Sequence, residues 1–121
     1  MIKADLLEKA IAAHASWKAR IRAAISAGKF DVPASTVKLD NLCEFGKWLS
    51  GPEVTAAEKQ TDNYRTVKQL HAEFHQEAAR VIELATSGQK AAAEAAINMG
   101  GSYSKSSTKL TEAMVRWRQS V

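Results

Sequence analysis

An all-α fold, an up-and-down four-helix bundle with three long helices and one short helix carrying the only cysteine, follows from three features of this 121-residue chain. Alanine, lysine, glutamate and leucine, all strong helix formers, crowd the sequence, while six Gly and two Pro leave little turn material for an all-β fold. Apolar residues recur at three- and four-residue steps over long stretches, the stripe of an amphipathic helix. The interruptions are short, as connections between antiparallel bundle neighbours are. The length suits one domain over residues 1–121.

The first long helix is expected from about Ile2 to Ala27. Leu7, Ile11, His14, Trp17, Ile21 and Ile25 form its stripe, and Gly28 is its stop. Residues 29–39 contain Pro33, lack periodicity and read as a loop. Asp40 has the character of an N-cap for a short helix over 41–49 that includes Cys43, Phe45 and Trp48, closed by Gly51-Pro52. Thr55 and Glu58 have the spacing of a capping box, in which each side chain satisfies an orphan amide. That box should open a third helix with Tyr64, Val67, His71, Phe74, Ala78, Val81 and Ala85 facing inward, ending at Ser87-Gly88.

The last segment starts with the alanine-rich run 91–96, and Tyr103, Leu110, Met114, Trp117 and Val121 keep heptad-like spacing. Gly100-Gly101 interrupts it, at about 1 kcal/mol of helix propensity per glycine. One weakened helix is expected here, its stripe serving either the core or a dimer contact, with Trp117 in the core.

Charge and cysteine count exclude several function classes. The net charge of +4 is spread among acids with no block of like charge, sparser than a nucleic-acid footprint. Residues 1–9 carry acids where a signal peptide would be continuously apolar, and no run approaches the ~20 apolar residues of a membrane span. One cysteine cannot form an internal disulfide, so cytoplasmic residence is the simple expectation.

Four residues carry potential chemistry. His71 and His75, four apart on a helix, present two imidazoles from consecutive turns of one face. His14 lies on the apolar stripe of the first helix, and Cys43 beside Phe45 and Trp48 on the short one. Singly, each reads as an ordinary core residue. Jointly, they place every histidine and the only cysteine on inward faces of one core, where unpartnered imidazoles are costly. Three imidazoles and a thiolate suit tetrahedral zinc.

The segment His71-Ala72-Glu73-Phe74-His75 lacks the arrangement of a zinc protease helix. There the glutamate directly follows the first histidine and faces the metal-bound water. Here Glu73 is turned about 200° from His71 and should face solvent. Four protein ligands would also leave no open coordination position. No catalytic residues and no enzyme activity are expected.

With these residues quoted, the chain resembles the chemoreceptor zinc-binding family. The family's pattern appears as His14-Ala-Ser-Trp17, Cys43-Glu-Phe45-Gly46-Lys-Trp48 and His71-Ala-Glu-Phe-His75, with gaps of 25 residues (18–42) and 22 residues (49–70). The resemblance implies a zinc ion held by His14, Cys43, His71 and His75 in a four-helix bundle. It further implies a homodimer and a regulatory role in bacterial cytosolic signalling beside chemoreceptors or diguanylate cyclases, with zinc occupancy or oxidation of the cysteine as the signal. Trp17 and Trp48 are expected to wall the site and Gly46 to permit close helix approach. Asp40 and Asp62 are candidates for orienting the imidazoles. No output module is expected after the domain, so any effect would pass through dimerisation or a partner. The rival expectations are a zinc ion that merely staples a dimerisation bundle, and a bundle with no metal.

Overall fold

The computed structural model describes residues 4–39 and 43–120, with only the backbone given for Ala4 and Glu44. Helix α1 spans Ala4–Ala27 and ends where expected, because Gly28 takes φ 71° and donates its amide to the Ala24 carbonyl at 2.8 Å. The long helix α4, Asp62–Thr86, ends the same way at Gly88, φ 84°. The remaining helices are α2 (Ala34–Val37), α3 (Glu44–Ser50), α5 (Lys90–Ile97) and α6 (Ser102–Gln119), and no strand occurs among the described residues.

Packing explains why these elements form one helical bundle. Helix α4 lies along α6, α1 packs on both, α5 touches all three, and α2 rests on α4. Their apolar stripes meet in a single core that includes Leu7, Ile21, Val67, Phe74, Val81, Leu110 and Met114. Tyr103, Leu110, Met114 and Trp117 are all buried in it, so the stripe on α6 belongs to the core of the chain itself.

Four local expectations are corrected. The last segment is two helices rather than one: Gly100 adopts φ 83°, and a Cβ at Gly101 would lie 2.3 Å from the carbonyl oxygens of Ala95 and Ala96. The paired glycines therefore break the helix, Gly100 by its left-handed backbone and Gly101 by a close approach that leaves no room for a side chain. The stretch 29–39 is not all loop, since Pro33 is the N-cap of the one-turn helix α2, its carbonyl accepting from the amides of Thr36 and Val37. The short helix begins after Cys43 rather than before it, with Cys43 itself as N-cap. Thr55 and Glu58 meet as their spacing suggests, the Glu58 amide donating to Thr55 Oγ1 at 3.2 Å and the Thr55 hydroxyl to Glu58 Oε1 at 3.2 Å, yet they cap only the 3₁₀ turn Glu58–Gln60. Thr61 caps α4 instead, accepting from the Tyr64 amide. Ile2 as the helix start, Asp40 as a cap, Asn41 and Leu42 as helical, and Val121 as the end of the stripe lie outside the described residues.

Candidate metal centre

Two helices and the N-cap of a third bring four side chains together. His14 comes from the middle of α1, His71 and His75 from consecutive turns of α4, and Cys43 from the N-cap of α3. One ligand atom from each lies within 4.8 Å of every other. Cys43 Sγ is 3.4 Å from His71 Nε2 and 3.6 Å from His75 Nε2, and the two nitrogens are 3.1 Å apart.

These spacings can be held against the metal that the donor set suits. Tetrahedral zinc, with Zn–N about 2.0–2.1 Å and Zn–S about 2.3 Å, sets donor–donor edges of about 3.3 Å for N–N and about 3.6 Å for N–S. The observed three edges agree within a few tenths of an ångström. His14, within 4.8 Å of the other three, adds a buried Nε2 with no hydrogen-bond partner, an orphan that a cation would satisfy.

The backbone orients two of the rings. His14 Nδ1 lies 2.7 Å from the Ala10 carbonyl, and His75 Nδ1 lies 2.9 Å from the Val37 carbonyl. Donation to these acceptors places the proton on Nδ1 and leaves the Nε2 lone pair for the centre of the cluster. Of the two carboxylates expected to do this, Asp62 does not. Asp62 is exposed in the first turn of α4, nine residues before His71 and so about 13 Å away along the axis, and Asp40 lies outside the described residues.

Burial sets the electrostatics. His14, His71 and His75 are 4%, 0% and 3% exposed. Desolvation pushes the pKa of His14 down to about 4, with the neighbouring charge of His75 adding to the shift. It pushes His71 down to about 2, helped by His75 and His14. At neutral pH both are therefore uncharged imidazoles, the form that coordinates metal. The Gly46 amide donates to Cys43 Sγ at 3.3 Å, an interaction that favours a thiolate.

Aromatic rings close the surroundings. Phe45 and Phe74 meet His14 edge-on at centroid distances of 5.7 and 5.2 Å, and Trp17 stands 6.3 Å from His75. Trp48 does not touch the histidines. It stacks on Phe45 at 5.7 Å and leans on Trp117 at 5.6 Å, so it backs the wall that Phe45 makes. Gly46 is buried and Glu73 exposed, as expected. The Ala10 and Val37 carbonyls leave no trace in a sequence, since every residue has one. Phe45 and Phe74 have a visible signal in their place beside the ligand residues.

Residues 14–82 match the chemoreceptor zinc-binding domain, more than half of the chain and the whole span that holds the four side chains. No curated protein and no solved structure matches the chain at a significant level. The fold and the site thus define a zinc-binding, regulatory helical domain rather than a member of a catalytic family. The chain belongs to the chemoreceptor zinc-binding family, and zinc is the cofactor of that family. Among the described residues no helix is long and apolar enough to cross a membrane.

Proposed function

We propose that His14, Cys43, His71 and His75 hold one zinc ion, and that the chain is a cytoplasmic, non-enzymatic sensory domain of bacterial signalling, of the chemotaxis or cyclic-di-GMP type. The observation that carries this reading is the convergence of all three histidines and the only cysteine within 4.8 Å. When bound, zinc supplies a borderline-soft Lewis acid that links α1, the N-cap of α3 and α4, of which α3 and α4 are also joined by the hydrogen bond from the Tyr64 hydroxyl to the Leu49 carbonyl.

The chain's own residues divide the work. Ala10 and Val37 carbonyls hold the Nδ1 protons of His14 and His75, so both Nε2 atoms face the cluster without rearrangement. Burial keeps His14 and His71 neutral. Gly46 steadies the sulfur, which also caps α3. Cys43 is the one half-exposed member of the four, the others being buried. It is therefore where an oxidant would act, and the loss of a thiolate there removes a ligand and a helix cap together. The response to zinc or oxidant is then the docking or release of α3.

The domain is proposed to span residues 1–121, because the core that packs the matched segment also contains Leu110, Met114 and Trp117 beyond it. Homodimerisation belongs to the proposal, as does a chemoreceptor or diguanylate cyclase as partner. With the α6 stripe buried, a dimer must use another face. A structural zinc staple in a dimerisation bundle is the second reading, favoured by the near-complete burial of the three histidines.

Elemental analysis of the purified chain beside Cys43→Ala tests the site. About one zinc per chain in the parent and a large loss in the variant is the expected result; no metal in the parent after zinc loading and washing overturns it. Chelator competition then separates the readings, since a sensor exchanges zinc while folded and a staple yields it only as the fold melts.

A further inference from the structure

Three of the four candidate ligands are sealed in the core, so the cluster must be reached from the side of Cys43. A cavity of about 280 Å³ lies on that side, between α1 and α3. Leu6, Ala10 and Ala13 of α1 and Phe45 and Trp48 of α3 wall it, and both Cys43 and His14 border it. His14 brings a buried Nε2 with no hydrogen-bond partner to this boundary. Lys9, exposed on α1, is the only charged side chain among the described lining residues.

We propose that this cavity is the entrance to the metal centre and that it selects small anions with a compact, flat apolar body. The aromatic and alanine walls admit a slim hydrocarbon or ring. Lys9 favours a carboxylate or thiolate head over a neutral or cationic one, as charge at the mouth of a low-dielectric cleft does. The volume is just under the range of drug-sized ligand pockets, about 300–1,000 Å³, and so excludes bulky molecules. The selectivity resides in residues that are not themselves candidate ligands. Lys9 and Ala13 are both exposed on the outer face of α1, so changing them leaves the core intact. The inference rests on the proposed zinc site for its purpose, although the entrance can be measured without metal.

The test uses the full chain, metal-free, and compares alkylation of Cys43 by iodoacetate and iodoacetamide, which are similar in size and differ in charge. The thiolate fraction cancels in their rate ratio, and dividing that ratio by the one for a small thiol in solution cancels the reagents' intrinsic reactivities. The normalised ratio should favour iodoacetate by about two- to fivefold, the scale of one nearby charge acting through water, and should invert in Lys9→Glu. Ala13→Trp, which narrows the cavity from an exposed position, should slow both reagents, and 5-iodoacetamidofluorescein, a bulky probe with the same reacting group, should react far more slowly than either. Unchanged helical circular dichroism certifies that both variants are folded.

A normalised ratio of one that Lys9→Glu does not alter overturns the proposal. So does 5-iodoacetamidofluorescein reacting as fast as the small reagents, because access would then come from lifting of α3. In the zinc-loaded chain, removal of metal by pyridine-2,6-dicarboxylate, a small flat dianion, should slow in Lys9→Glu. Absence of zinc from the chain would overturn the metal site and leave the alkylation results standing, so the two failures are distinct.

Discussion

His75 Nδ1 lies 2.9 Å from the carbonyl oxygen of Val37, a hydrogen bond between α4 and the one-turn helix α2 that joins a candidate metal ligand to the α1–α3 connection. Val37 is itself buried, so its side chain anchors α2 while its carbonyl orients the imidazole. Val37→Gly should weaken zinc binding about 10- to 100-fold, the usual effect of losing a partner that orients a ligand. Competition with a zinc-binding dye checks this. Leu110→Ala, in the same core but remote from the carbonyl, should leave the affinity nearly unchanged while lowering the melting temperature.

Removing zinc should lower thermal stability markedly and in proportion to how far zinc exceeds its dissociation constant, about 4 kcal/mol at a thousandfold excess. Scanning calorimetry with and without a chelator reads the shift directly. A Cys43→Ala variant should show little further loss on chelation.

Acid should destabilise the metal-free chain. His14 is held at about 4 when folded against an ordinary 6.5, so the unfolded chain binds the proton first as pH falls. The contribution of the neutral ring is whole above about pH 6.5 and drains away between there and about pH 4, of order 3 kcal/mol for this one group. His71 acts in the same direction and extends the loss to lower pH. Urea melts at pH 7.5, 6, 5 and 4 should trace a monotonic fall, and His14→Phe should flatten its upper part.

Tyr103 is fully buried, and its hydroxyl has no hydrogen-bond partner. Burial also pushes its pKa upward, so it stays protonated. Since an unsatisfied buried polar group costs about 1–3 kcal/mol, Tyr103→Phe should stabilise the protein by about 1 kcal/mol, seen as a higher urea midpoint at unchanged slope.

Gly101→Ala should be strongly destabilising, because its Cβ would press on two carbonyl oxygens at 2.3 Å, backbone atoms that cannot swing aside. Gly100→Ala meets open space and bears only the strain of φ 83°, about 1–2 kcal/mol. The order of the two melting temperatures checks the assignment, and zinc stoichiometry should survive in the milder variant.

The identities of the converging side chains are legible in the sequence, because helical periodicity puts His14, His71 and His75 on inward faces, and a face is a local property. The helical class and the ends at Gly28 and Gly88 are legible for the same reason: propensity and left-handed glycine act over a few residues. The break at Asn98–Gly101 is not, because a propensity cost is small and continuous, whereas the close approach of Gly101 to Ala95 and Ala96 is steric and all-or-none. Thr55 caps the Glu58 amide as the spacing suggests, yet only packing decides that Thr61 starts α4. By itself the sequence determined which donors were available and which helices carried them. The tertiary structure decided that Cys43 Sγ and the Nε2 atoms of His71 and His75 meet at coordination distance, that the Ala10 and Val37 carbonyls select the tautomers, and that Cys43 and His14 border a way in. Those facts depend on distances between residues far apart in the chain, and the depth of burial they create is what keeps the imidazoles neutral.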